Sequence, residues 1–200
     1  MKLFYLSEYN ENEDGFLHNS KVSVWYNWLR FHIPSTPSNK ETEEKLAKNL
    51  AHIILGLEMK AGLILAHQRT NQSILYDPYL KIMSFEFCVG VFSICEGLGS
   101  IIVISQNPNS KKKIKINEWK KALCDCFDSD ETLNIKVYLE TVIKVRNKIH
   151  QDKIHKRDSI DYHSFAYKNS FEPALTLIQS LLEKPGKDVP KDTNLKSIPI

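Results

Sequence analysis

In Ile135-Lys136-Val137-Tyr138-Leu139-Glu140-Thr141-Val142-Ile143-Lys144-Val145-Arg146-Asn147-Lys148-Ile149-His150, the residues Ile135, Tyr138, Val142, Val145 and Ile149 recur at alternating three- and four-residue steps. That spacing places them on one stripe of an α-helix, and a strand would instead alternate every second residue. A second row beside it, Leu139, Ile143, Arg146 and His150, is apolar for its first half and polar for its last turn. The end of that row lies where a core opens onto a surface.

Working outward, the same helical period recurs. Thr42 is an acceptable N-cap, with Glu41, Glu43 and Glu44 suited to the positive end of a helix dipole. From there Leu46, Leu50, Ile53, Ile54, Leu57, Ala61, Ile64 and Leu65 face inward on a helix that runs to about Gln68. Asp77-Pro78 starts the next helix, through Phe85, Cys88, Phe92 and Cys95. Gly97 and Gly99 weaken it, by about 1 kcal/mol each relative to Ala. Ile101-Ile102-Val103-Ile104 therefore reads either as its continuation or as a strand. Asn117 caps a short helix through Trp119, Leu123 and Phe127, and Asp128-Ser129-Asp130 restarts the chain into the Arg146/His150 helix. A last helix is expected from Asp158 or Ser159 to Lys184, kinked or split by Pro173. Four or more antiparallel helices on short loops predict an all-α fold, an antiparallel bundle of four to six helices.

The flanks differ from this core. In residues 1–40, Leu3 to Tyr9 and Val22 to Ile33 are rich in aromatic and β-branched residues. They form either a short β-hairpin or, for the second, an extra helix with Trp25, Trp28 and Leu29 on one face. Pro34-Ser35-Thr36-Pro37-Ser38-Asn39 breaks the chain before the bundle of residues 41–184. Residues 185–200, with three prolines and little apolar content, read as a disordered tail.

The 200-residue length suits one domain with tails, and 42% hydrophobic with 26% charged residues is ordinary for a soluble protein. The net charge of +3 does not by itself imply a polyanion partner, but its distribution is uneven. Lys111, Lys112, Lys113, Lys115, Lys120 and Lys121 form one basic run. Lys144, Arg146, Lys148, Lys153, Lys156 and Arg157 form another, around His150 and His155, while Glu8, Glu11, Glu13 and Asp14 gather elsewhere. Ile82 to Ser105 is the most apolar stretch, and Glu86 and Glu96 within it favour a buried helix over a membrane span. The first twenty residues lack a secretory pattern, so a cytoplasmic protein with no membrane association is expected. Cys88, Cys95, Cys124 and Cys126 have no zinc spacing, and neither a metal site nor a cofactor is expected.

Arg146 and His150 are four residues apart, hence neighbours on one face if the helix is continuous. Arg offers a planar, permanently charged fork for a phosphate, and His moves protons near neutrality. Together they meet the minimum needs of metal-free RNA cleavage, with Asn147 holding the phosphate or orienting His150. Lys144, Lys148 and Lys153 are candidates for binding the substrate backbone. A plainer reading of the basic last turn is that it complements the helix dipole and caps carbonyls. Glu96, between Cys95 and Gly97, would need a partner if buried, and Tyr138 or Arg146 could supply it, a structural role. Gly97-Leu98-Gly99 lacks the companions of a phosphate loop and suits close helix packing.

Arg146-Asn147-Lys148-Ile149-His150 resembles the signature of HEPN domains, helical bundles in which an Arg, commonly followed by Asn, precedes a His after four to six residues. Phe92-Ser93-Ile94-Cys95-Glu96-Gly97-Leu98-Gly99 also resembles the second long helix of some of them, and the likeness spans about residues 41–183. It implies a metal-independent endoribonuclease of a toxin–antitoxin or anti-phage defence system. Its catalytic residues would be Arg146, Asn147 and His150, and it would act on RNA as a homodimer, with an antitoxin or other protein as partner. This chain departs from the pattern: three residues separate Arg146 from His150, and a four-residue gap would place Gln151 there. The shorter gap works if the helix runs on, or it marks a non-catalytic module for dimerisation or partner binding.

Overall fold

A computed structural model describes residues 22–32, 40–70, 77–106, 113–127, 135–148, 167–182 and Leu195. They form six α-helices: α1 (Val22–His32), α2 (Lys40–Thr70), α3 (Asp77–Gln106), α4 (Ile116–Phe127), α5 (Ile135–Asn147) and α6 (Phe171–Leu182). A 3-10 turn, Tyr167–Asn169, leads into α6. No strand occurs among the described residues, and the protein is an all-α bundle.

The bundle is organised around α3. Phe85, Phe87, Cys88, Val91, Phe92, Ile94, Cys95, Leu98, Ile101 and Ile102 are all buried, and these positions spread over more than half the helix circumference, leaving a strip with Ile82, Glu86 and Glu96 exposed. Such a helix needs neighbours on several sides, and α2, α4, α5 and α6 supply them. By length and hydropathy alone Pro78–Gln106 could cross a membrane, yet 56% of its most apolar window is buried against the other helices.

Small residues set how closely those neighbours approach. A Cβ on Gly90 would meet Leu57 Cδ2 at 2.7 Å, and one on Gly97 would meet Leu50 Cδ2 at 2.8 Å. As α3 advances seven residues from Gly90 to Gly97, its partner on α2 falls back seven, from Leu57 to Leu50. The two helices are therefore antiparallel, with leucines seated over glycines, and Lys60 bonds Glu86 at 3.0 Å in the same register. At Gly99 the neighbour is backbone: a Cβ there would run into the carbonyl oxygen of Trp119 on α4. Close helix packing, the expected use of Gly97 and Gly99, is what they provide. The β-branched run Ile101–Ile104 stays helical because Ile101 and Ile102 are buried in the core, and packing overrides local strand preference.

Several boundaries differ from the sequence expectation. Of the two alternatives for Val22 to Ile33, the helix forms: α1 buries Trp25, Trp28 and Leu29 against α2, and Trp25 Nε1 donates to Glu58 Oε2 at 3.0 Å. Its buried residues join the same core as the other helices, so this part of residues 1–40 belongs to the bundle. Residues 1–21 lie outside the described residues. Thr42 does not cap α2, which already starts at Lys40. Asn117 does not cap α4. The cap is Lys115, whose backbone N–H donates to Glu118 Oε2 at 2.7 Å while its carbonyl accepts from the Glu118 and Trp119 amides. That is half of a capping box built without a capping side chain. Pro173 falls in the first turn of α6, where amides have no helical acceptor, so it starts the helix without kinking it. A helix begun at Asp158 or Ser159 would cross 167–170, but these residues form the 3-10 turn and a further turn, so the α-helix starts only at Phe171. Residues 158–166 and the 128–130 restart lie outside the described residues. Leu195, in the expected disordered tail, is buried in the core, and its carbonyl accepts from Gln179 Nε2 at 2.8 Å. A leucine in a polar segment gains by docking on the apolar face of α6.

Candidate functional site at the end of α5

Burial of Ile135, Leu139, Val142 and Val145 fixes the rotation of α5 on the core. Cys88 Sγ, 3.8 Å from the Val142 carbonyl, marks how closely α3 and α5 approach. This rotation leaves Arg146 half-buried at the rim and Lys144 and Asn147 exposed. The Arg146 guanidinium sits over the ring of Phe92 on α3, with Cζ 5.0 Å from the centroid. Phe92 is in turn backed by Trp119 on α4, edge to face, with centroids 5.7 Å apart and planes at 80°. Arg146 Nη1 also donates to Asn147 Oδ1 at 3.3 Å. The guanidinium on α5 thus rests on a ring of α3 that α4 backs from behind. An aromatic face under a cation contributes about 0.5–1 kcal/mol at partly exposed sites, enough to favour one arrangement of a long side chain.

The helix ends at Asn147. Lys148 is in a turn, its amide donating to the Val145 carbonyl at 3.1 Å, an i to i+3 bond that tightens the last turn. The continuous α-helix through residue 150, on which the one-face relation of Arg146 and His150 depended, is thus not present at Lys148. His150 and Lys153 lie outside the described residues, as do Lys111 and Lys112. Lys144, Arg146 and Lys148 crowd the negative end of the helix dipole, which they complement.

Glu96 is exposed, because its position on α3 points away from the apolar contacts of Cys95 and Leu98. The partner it would need if buried is therefore not called for. Tyr138 is half-buried against the core. Glu86 is at the wetter edge of α3, bonded to Lys60.

Two of the four thiols, Cys88 and Cys95, are sealed in the core. The four cysteines are not joined in disulfides. Burial pushes the Cys88 thiol up to about 12, and burial, then the neighbouring Cys124 and Cys88, raises that of Cys95 further. Both are therefore poor nucleophiles near neutrality. Among the described residues no group of three His, Cys, Asp or Glu is placed to hold a metal ion.

The row Leu139, Ile143, Arg146, His150 turns polar at Arg146, which lies half-buried at the rim of the core, while His150 lies outside the described residues. Sequence reasoning missed Phe92 as the platform. Phe92 lay in the stretch that carried the second part of the HEPN resemblance, but there it read only as a core aromatic. Nothing in its spacing links it to a residue on another helix. No protein-family model, curated protein or solved structure matches the chain.

Proposed function

We propose that the protein is a metal-independent endoribonuclease of the toxin–antitoxin or anti-phage kind, acting in the cytoplasm as a homodimer on RNA. The observation that supports this reading is the Arg146–Asn147 pair: a guanidinium braced on Phe92 and bonded to Asn147, with Lys144 and Lys148 beside it. In the reaction the RNA 2′-oxygen bonds to the adjacent phosphorus and the bond from phosphorus to the 5′-oxygen breaks. The 2′-hydroxyl proton goes to a base, and the departing 5′-oxygen takes a proton from an acid. His150 fills one of these two roles. Arg146 holds the charge that grows on the phosphoryl oxygens, and Asn147 positions Arg146. Lys144, Lys148 and Lys153 bind the flanking backbone.

A second reading is a non-catalytic helical module for dimerisation or for binding an antitoxin or another protein partner. The end of α5 at Asn147 favours it, since the shortened spacing then lacks the continuous helix that would align His150 with Arg146.

Incubating the full-length chain with RNA in excess chelator separates the two. The nuclease cleaves, and His150→Ala slows cleavage about 10²- to 10⁴-fold, the usual contribution of a general acid or base, while circular dichroism keeps the helical signal. Absence of cleavage by the wild type, or an unchanged rate in His150→Ala, favours the module.

A further inference from the structure

Charge is shared unevenly among the helices. Residues 113–127 and 135–148 carry eight Lys and Arg against three Asp and Glu, whereas described residues 40–64 of α2 carry four of each. Of those three acids, Glu118 is engaged by the Lys115 amide at 2.7 Å, and Glu140 bonds Lys120 at 2.8 Å across α4 and α5. Asp125 is the third. Asp128, Asp130 and Glu131 belong to the 128–134 connection, outside the described residues. Lys113, Lys115, Lys121, Lys136 and Lys144 are exposed.

The arrangement is a row, not a cluster. Lys136, Glu140 and Lys144 follow at four-residue steps along the outer side of α5, about 12 Å from first to last. Lys120, then Lys136 and Lys144, all hold the Glu140 carboxyl below its ordinary range, so these charges act on one another. The Lys120–Glu140 pair bridges α4 to α5 and so ties the two lysine-rich helices to each other.

We propose that α4 and α5 present a track for the backbone of single-stranded RNA, contacted by Lys113, Lys115, Lys121 and Lys136 beyond the Arg146 motif and its neighbour Lys144. Exposed lysines in this number exceed what one phosphate group engages and suit a chain of them, because a polymer releases counterions at each lysine it meets. The choice of RNA as the polyanion rests on the function proposed above.

The test uses full-length protein carrying His150→Ala, so that binding is read without cleavage, and a fluorescent single-stranded RNA followed by anisotropy over a range of salt. Each backbone contact contributes about 0.7 to the slope of log affinity against log salt for single strands. The added triple substitution Lys113→Gln, Lys121→Gln and Lys136→Gln, remote from the motif, therefore lowers the slope by about 2. Circular dichroism of both proteins checks the fold, and single Lys→Gln variants replace the triple one if it fails to fold, each lowering the slope by about 0.7. A slope unchanged by these substitutions overturns the track, as does binding to anionic phospholipid vesicles but not to RNA. Binding with the expected slope while wild-type protein cuts nothing sinks the nuclease and keeps the track. Cleavage with an unmoved slope does the reverse.

Discussion

Arg146 is held from two directions, by the Phe92 ring beneath it and by Asn147 beside it. A long cation at a helix terminus would otherwise sample many rotamers, and ordering it before a ligand arrives removes part of that entropy from the binding step. The brace is measurable without any activity. In a double-mutant cycle of Phe92→Leu and Arg146→Gln followed by urea unfolding, the pair shows a coupling of about 0.5–1 kcal/mol. Additive losses would mean that the ring only fills space. The placement of Arg146 could be read from the sequence, because the apolar rows on α5 run into charge there and the helix period is local information. Its brace could not, since Phe92 is 54 residues away and only the approach of α3 to α5 brings the two together.

Among the elements, α3 determines how the others lie. Gly99 meets the Trp119 backbone, which has no flexible end to swing aside. Gly99→Ala gains about 1 kcal/mol of helix propensity but forces α4 outward, and overpacking of about 1–3 kcal/mol outweighs the gain. Gly56 on α2 has open space around it, so Gly56→Ala stabilises by about 0.5–1 kcal/mol. Chemical denaturation of the two variants should move in opposite directions, and equal shifts would contradict the close α3–α4 crossing. The tie between α4 and α5 is electrostatic. Hydrogen bonding to Lys120 holds the Glu140 carboxyl low, so its contribution is present above the ordinary carboxylate value, about 4.3, and is lost as pH falls through the lower folded value. The stability difference between wild type and Glu140→Gln is thus seen at pH 7 and closes below pH about 4. A difference that persists in acid would assign Glu140 a packing role instead. These elements were largely legible from periodicity. Their ends were not: Lys115 caps α4 through a neighbour's carboxylate, and Ile101–Ile104 keeps helix because of burial that no local propensity encodes.

At the scale of the molecule, the six helices among the described residues share one core, which reaches from Trp25 on α1 to Leu195 near the carboxyl end. The all-α class followed from repeated three- and four-residue spacing across most of the chain. The docking of Leu195 did not, because a single leucine in a polar segment has no period. What the bundle does with its Arg146 corner is a question of bond chemistry. If the 2′-oxygen is the nucleophile, every cut leaves a 2′,3′-cyclic phosphate on one fragment and a 5′-hydroxyl on the other. Mass spectrometry of RNA fragments made by the wild-type chain in chelator reads those ends directly. A 2′-oxygen nucleophile activated at this corner gives cyclic phosphate ends that disappear in His150→Ala and Arg146→Ala. Fragments ending in a 3′-hydroxyl, or cyclic ends made equally well by both variants, would contradict it.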